Sequence, residues 1–147
     1  MAINPKDEAA KLAKVVHPLL LRLSGGRVAG SLGGMPVVVL TPTGRKTGKP
    51  RPTPLTAVEH EGHTYVIASY GGDDRHPAWY LNLVTTPEVT VARGGRTEAM
   101  VARVLEPAER AEVWPAVTRA YKGYAAYQKK TDREIPVVEL VPAQSGP

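Results

Sequence analysis

Apolar residues recur along this chain with two periods, and the change of period falls in a glycine-rich stretch. Before it, Leu12, Val15, Val16, Leu19, Leu20 and Leu23 follow helical spacing, with Lys11, Lys14 and Arg22 on the other side. This predicts an amphipathic helix over 7–23, kinked or split at Pro18. Ser24-Gly25-Gly26 and the glycines at 30, 33 and 34 then read as a flexible connector without a core of its own. The expected organisation is an N-terminal helix and connector over 1–34, followed by one compact domain over 35–147.

Beyond Gly34 the apolar runs are short and rich in β-branched residues, and turn residues separate them. Strands are predicted over 37–41, 53–60, 64–69, 89–93, 98–105 and 137–141. Glu61-Gly62 and Gly94-Gly95 have the backbone freedom of hairpin turns. Helical patterns interrupt the strands over 76–84, 107–121 and 123–130, the second opening on Pro107 in its first turn. The expected class is mainly β with inserted helices (α+β), built as a small antiparallel barrel. Successive βαβ units are missing, which disfavours a doubly wound nucleotide fold.

At 147 residues the chain suits one domain. It has no cysteine, which removes disulfides, thiolate metal sites, iron–sulfur clusters and cysteine nucleophiles. The first residues lack a leader pattern and no apolar run is long enough to span a bilayer, so a soluble, cytoplasmic protein is expected. The net charge of +5 favours an anionic partner: nucleic acid, an acidic membrane surface or a small polyanion.

Three segments carry candidate chemistry. Thr41-Pro42-Thr43-Gly44-Arg45-Lys46-Thr47-Gly48-Lys49-Pro50-Arg51 places four cations within seven residues between a strand and the next apolar run. Such crowding suits an anionic ligand, with Gly44 and Gly48 freeing backbone amides and arginines forking onto phosphate or carboxylate oxygens. A solvated hairpin tip is the competing reading, and the spacing of a Walker loop is absent. In Ser69-Tyr70-Gly71-Gly72-Asp73-Asp74-Arg75-His76-Pro77-Ala78-Trp79-Tyr80-Leu81-Asn82, a strand ends beside a glycine pair and a short helix follows, so a planar ring can approach the backbone. Trp79 and Tyr80 also suit a plain core role. Tyr121, Tyr124 and Tyr127 stand at i, i+3 and i+6, which puts three phenols on one helical face in a chain without phenylalanine; they line a pocket or pack on the barrel. His60-Glu61-Gly62-His63 lacks a third metal ligand and reads as polar turn chemistry. Ser69 lacks a nucleophile elbow.

Together the basic loop, the Gly71-Gly72 and 76–82 block, and the segment 121–136 resemble the deazaflavin (F420)-dependent nitroreductase family of actinobacteria, in order, from about Gly34 to Pro142. The resemblance implies a split β-barrel of FMN-binding type and reduced coenzyme F420, whose tail carries a phosphate and glutamates. It implies that Arg45, Lys46, Thr47 and Arg51 hold that tail, with Pro52, Thr53 and Pro54 close by. Ile67, Ala68, Ser69 and Tyr70, with Ala78, Trp79, Tyr80, Leu81 and Asn82, are implied to approach the ring. Tyr121, Tyr124 and Tyr127 would shape the substrate pocket, and Ser69 would hydrogen-bond the substrate. Thr56 and Tyr70 depart from the family's best-known nitroimidazole-activating member, which has tyrosine and lysine there.

The resulting expectation is hydride transfer from reduced F420 to small electrophilic acceptors such as quinones, enone or enoate alkenes and nitroaromatics. An FMN-binding split barrel is the alternative. A basic barrel gripping nucleic acid through Arg45, Lys46, Lys49, Arg51, Arg93 and Arg96 ranks below both, because the aromatic residues lack a strand-borne stacking pattern. The chain is expected as monomer or homodimer, with its N-terminal helix packed on the domain or lying on a membrane surface.

Overall fold

The computed structural model describes residues 31–32 and 34–143; the helix expected over 7–23 lies outside them. Eight strands and three helices follow in the order β1 (Ser31–Leu32), β2 (Met35–Thr41), β3 (Thr53–Thr56), β4 (Val58–His60), β5 (His63–Ile67), α1 (Ala78–Thr85), β6 (Glu88–Arg93), β7 (Arg96–Val104), α2 (Pro107–Ala120), α3 (Gly123–Lys130) and β8 (Val137–Pro142). A single 3-10 turn, Tyr70–Gly72, joins β5 to the segment before α1.

Both expected hairpin turns are present. Glu61 (φ 51°) and Gly62 (φ 79°) turn β4 into β5, and Gly94 (φ 58°) and Gly95 (φ 79°) turn β6 into β7, each pair supplying the two left-handed residues of a primed turn. Three details differ from the sequence reading. The run over 53–60 is two strands broken at Ala57: β3 pairs with β2 and β4 pairs with β5, so the bend transfers the chain from one neighbour to the other. The Ala57 amide donates to the Pro36 carbonyl at 2.8 Å, outside either ladder. The first inserted helix begins at Ala78, not His76, because a residue preceding proline is pushed to extended backbone. The connector contributes β1, folded back on β2 through Gly34 (φ 82°).

The sheet runs β1-β2-β6-β7-β8-β5-β4, with β3 on β2, all pairs antiparallel. Since β3 continues into β4, the path returns on itself as a nearly closed barrel. Its interior is a cluster of Val38, Leu40, Val66, Val89, Val91, Met100, Val138 and Leu140, stoppered by Trp79 and Leu83 of α1. A second cluster lies on the outer face under α2 and α3, where Val58, Tyr65, Ile67 and Val137 meet Val113, Val117 and Tyr124. The alternation along β8 feeds both, Val138 and Leu140 inward and Val137 outward.

Strand direction decides where the candidate residues collect. β3 and β4 run against β2, and β5 runs against β4, so β2 and β5 finish at the same end of the barrel. β6 and β8, antiparallel to β2 and β5, start there. The basic loop after β2, Ser69 after β5, α1 before β6 and the linker 131–136 before β8 are therefore gathered at one rim, although they are up to about ninety positions apart in sequence.

Candidate active site

The basic loop is a closed, ordered turn. Gly44 N–H donates to the Lys49 carbonyl and Gly48 N–H to the Gly44 carbonyl, both at 2.8 Å, and Arg51 N–H donates to the Pro42 carbonyl at 2.9 Å. Gly48 sits at φ 72°, a conformation that favours glycine. At Gly44 the constraint is space: a Cβ would stand 2.9 Å from Thr47 Oγ1 and 3.2 Å from the Lys49 carbonyl. Arg51 donates to Thr47 Oγ1 at 3.3 Å. Lys46, Thr47, Lys49, Arg51 and Pro52 face solvent, whereas Thr53 and Pro54 enter the barrel wall. Among the described residues none of the four cations is in an ion pair, so their charge is directed outward and uncompensated.

Asn82, read in the sequence as part of the ring-facing block, anchors this loop. Its side chain is buried in α1, and its Oδ1 accepts from Arg45 N–H at 3.0 Å and from the Arg45 guanidinium at 2.8 Å. Both partners are donors, which identifies the facing atom as oxygen. Trp79 is a core residue, while Ala78 is exposed and Tyr80 and Leu81 are half-buried on the rim. Tyr80 stacks on His76, ring centroids 4.7 Å apart.

Ile67 and Ala68 are buried, so only their backbone can meet a ligand. Ser69 lies past the end of β5 and precedes a run of left-handed residues, Tyr70 (φ 46°), Gly71 (φ 64°) and Gly72 (φ 85°). It is buried, and among the described residues its hydroxyl has no hydrogen-bond partner, not even as a cap of the turn it precedes. A buried hydroxyl left this way carries an unmet bonding demand that a ligand can fill.

The three tyrosines come together, but not as one helical face. Tyr121 ends α2 in extended conformation, and Gly123 lets the chain restart as α3; a Cβ there would fall 2.3 Å from the Tyr121 ring. The three rings pack pairwise with centroids 5.1 to 6.3 Å apart. Their environments differ. Tyr124 is buried in the outer cluster and shares a 3.2 Å hydrogen bond with Thr56 Oγ1, and burial raises its pKa while that bond opposes the rise. Tyr121 is exposed and shares a 3.2 Å hydrogen bond with the Tyr127 hydroxyl. That bond first, then burial and the neighbouring phenols, pushes Tyr127 up to about 12. Tyr127 is thus a protonated donor at neutral pH. α3 abuts the glycine turn: a Cβ on Gly72 would stand 3.0 Å from the Tyr127 carbonyl oxygen.

Sequence reasoning missed Arg133, a single cation in a short linker with no local pattern to mark it. Its Nε donates to the Asp73 carbonyl at 2.9 Å, and one terminal nitrogen donates to the carbonyls of Ala68 at 3.1 Å and Ser69 at 2.9 Å. The other meets His76 Nδ1 at 3.2 Å. A guanidinium only donates, so Nδ1 accepts and the neutral ring carries its proton on Nε2. Burial, and then the Arg133 charge, lower the His76 pKa.

The histidines of the β4–β5 turn belong elsewhere. His63 Nδ1 lies 2.6 Å from Glu139 Oε2, and Glu139 also accepts from Arg103 at 2.6 Å. Burial opposes ionisation of Glu139, but these two partners hold its pKa below the ordinary carboxylate value. Both residues line a cleft of about 330 Å³ that contains none of the expected site residues. Among the described residues no group of three His, Cys, Asp or Glu is placed to hold a metal ion.

Comparison with known proteins gives this arrangement a family. The model of the F420H(2)-dependent quinone reductase family matches residues 15–142. An F420H(2)-dependent quinone reductase of Mycobacterium tuberculosis is 35% identical over 129 residues, covering 85% of this chain and 87% of the relative. The solved structure of an F420-H2 dependent reductase, FDR-A, is 45% identical with a TM-score of 0.64, covering 71% of this chain and 92% of that one. A solved domain-swapped dimer is 39% identical with a TM-score of 0.66, covering 86% and 96%. This chain, a nearly closed barrel of the split-barrel type, belongs to the F420H(2)-dependent quinone reductase family.

Proposed function

We propose that this protein is an oxidoreductase that reduces quinones, and by the same chemistry enone or enoate alkenes and nitroaromatics, at the expense of reduced coenzyme F420. Membership of the family carries the reaction class. One structural observation supports the location: an outward cationic loop and a buried serine hydroxyl without a partner among the described residues share one rim of the barrel. The donor set fits the coenzyme, since flexible lysines and forked arginines beside exposed backbone suit a phosphate and carboxylates. When bound, reduced F420 supplies a hydride equivalent.

The residues divide the remaining work. Arg45, Lys46, Thr47 and Arg51 hold the anionic tail, and Asn82 keeps their loop in shape. The backbone of Ile67, Ala68 and Ser69, with Tyr70 and the rim residues Ala78, Tyr80 and Leu81, borders the ring; Trp79 supports them from the core. Ser69 and the Tyr121–Tyr127 pair orient the acceptor oxygen and stabilise the negative charge it gains, as donors fixed in advance. With its pKa pushed up to about 12, Tyr127 is poorly matched to giving up its proton at neutral pH, so it acts by hydrogen bonding and solvent supplies the proton. Tyr124, tied to Thr56, is a buried support for the other two.

The domain expected over 35–147 is the catalytic unit in this reading, with β1 joined to its sheet. A homodimer is proposed because a relative at 39% identity is a domain-swapped dimer. Among the described residues no helix is long and apolar enough to cross a membrane. Work in the cytoplasm, with contact to a membrane surface through 7–23, belongs to the proposal.

The tail site is tested by replacing Arg45, Lys46 and Arg51 together with alanine and titrating oxidised F420 by fluorescence. Affinity is expected to fall at least tenfold, and wild-type affinity to weaken with salt. Wild-type affinity in the triple variant would refute the assignment.

A further inference from the structure

The rim turn after β5 is energetically unfavourable by itself. Tyr70, Gly71 and Gly72 are consecutive left-handed residues, and Tyr70 has a Cβ that makes this conformation costly. Such a turn persists only where its surroundings over-determine it. One surrounding that does so is Arg133, which clasps the turn from both sides: Ala68 and Ser69 before it, Asp73 after it, and His76 at the foot of α1. These contacts span 57 to 65 positions of sequence, so a distant linker helps to hold the turn in shape.

That linker is itself fixed. Arg133 N–H donates to Thr131 Oγ1 at 3.3 Å, and its carbonyl accepts from Gln128 Nε2 at 2.8 Å. Gln128 Oε1 accepts from Ile135 N–H and from Arg110 of α2, which also donates to the Ile135 carbonyl at 2.9 Å. Arg110 in turn stacks over Trp114 at 4.2 Å. An unbroken polar chain thus runs from α2, through α3, to the carbonyls flanking Ser69.

We propose that Arg133 is a positioning residue that fixes Ser69 and couples its placement to the tyrosine-bearing helix α3. This rests on the proposed assignment of Ser69 to the substrate and of the neighbouring strand end to the coenzyme ring. A lysine cannot replace the fork: its single ammonium reaches one or two of the four acceptors and leaves the others unmet. Displacing Ser69 by an ångström is enough to spoil orientation without touching the tail grip. Arg133 does not meet the acceptor itself; it acts through the turn it holds.

The test uses Arg133→Lys, with Arg133→Ala as a more severe companion; where the alanine variant fails to fold, the lysine variant carries the test. Melting temperature checks folding, and titration of oxidised F420 gives both affinity and the absorbance and fluorescence of the bound chromophore. Turnover with menadione is measured in R133K, S69A and the double variant. Expected for R133K are F420 affinity within about threefold of wild type, a changed bound-chromophore spectrum, and kcat reduced roughly 10- to 100-fold. The double variant is expected to be no slower than S69A, because two residues acting as one unit do not add. Wild-type spectrum and kcat in R133K, or losses that add fully to those of S69A, would overturn the inference while leaving the coenzyme site intact. Failure of the wild-type protein to bind F420 would overturn both.

Discussion

Replacing Asn82 with leucine tests whether the cationic loop is pre-shaped for its ligand. The substitution keeps the branching and heavy-atom count of a buried side chain but deletes the oxygen that accepts from both the backbone and the side chain of Arg45. A neutral N–H···O bond contributes about 1 kcal/mol net and one from a charged donor about 1.5–3 kcal/mol, so the pair is worth about 2.5 kcal/mol at the low end suited to a half-exposed contact. That energy corresponds to roughly 60-fold in the equilibrium between the competent loop and its other shapes, which is the upper bound on the change in the competent fraction. Because apparent affinity falls with that fraction, the dissociation constant for oxidised F420 should rise. The remaining loop bonds from Gly44, Gly48 and Arg51 soften the effect, giving an expected increase of about 10- to 60-fold. Melting temperature should drop by only a few degrees, since the contact lies at the rim and both core clusters are untouched. Fluorescence titration and a thermal melt on the same preparation read both quantities. A folded variant with affinity within twofold of wild type would refute the anchoring role of Asn82.

Two further predictions bear on the turn and its neighbours. Gly72→Ala should destabilise more than Gly62→Ala: both sit at φ near 80°, but only at Gly72 does a Cβ meet the Lys130 side chain at 2.9 Å and the Tyr127 carbonyl at 3.0 Å. The strain common to both is about 1–3 kcal/mol, and equal melting temperatures would contradict close packing of α3 on the turn. His76 gives a pH signature. Its pKa is lowered on folding, so above its ordinary value near 6.5 neither state binds the proton; as pH falls below that value the unfolded chain takes it up first and stability declines. The carboxylate Glu139, with its pKa lowered, adds its own loss only below about pH 4.5. Between pH 7 and 5 the melting temperature of wild type should therefore fall more than that of His76→Gln; parallel curves would remove His76 from the Arg133 cluster.

Elements governed by local pattern were legible in the sequence. Period-two runs, paired turn glycines and the proline at the start of α2 act within a few residues, and among the described residues the strands and helices expected beyond Gly34 are present. What escaped depends on partners far along the chain. The break at Ala57 changes neither composition nor period, because the strand keeps its pattern while exchanging β2 for β5. The spacing of Tyr121, Tyr124 and Tyr127 suggested one helical face, whereas Tyr121 ends one helix and the other two lie on the next; the rings still converge because Gly123 permits the tight junction. Asn82 and Arg45 are 37 positions apart, and Arg133 reaches across 57 to 65, distances over which no motif signals contact. The basic loop was readable as an anion site since crowded charge is a property of sequence alone, but its anchor was not.

Everything proposed for this rim depends on reduced F420 being the electron donor there. Steady-state oxidation of reduced F420 by menadione, catalysed by the purified chain and compared with reduced FMN under the same conditions, tests it most directly. Enzyme-dependent turnover is expected with reduced F420, and little or none with reduced FMN. Absence of turnover with reduced F420, or equal rates with the two donors, would contradict it.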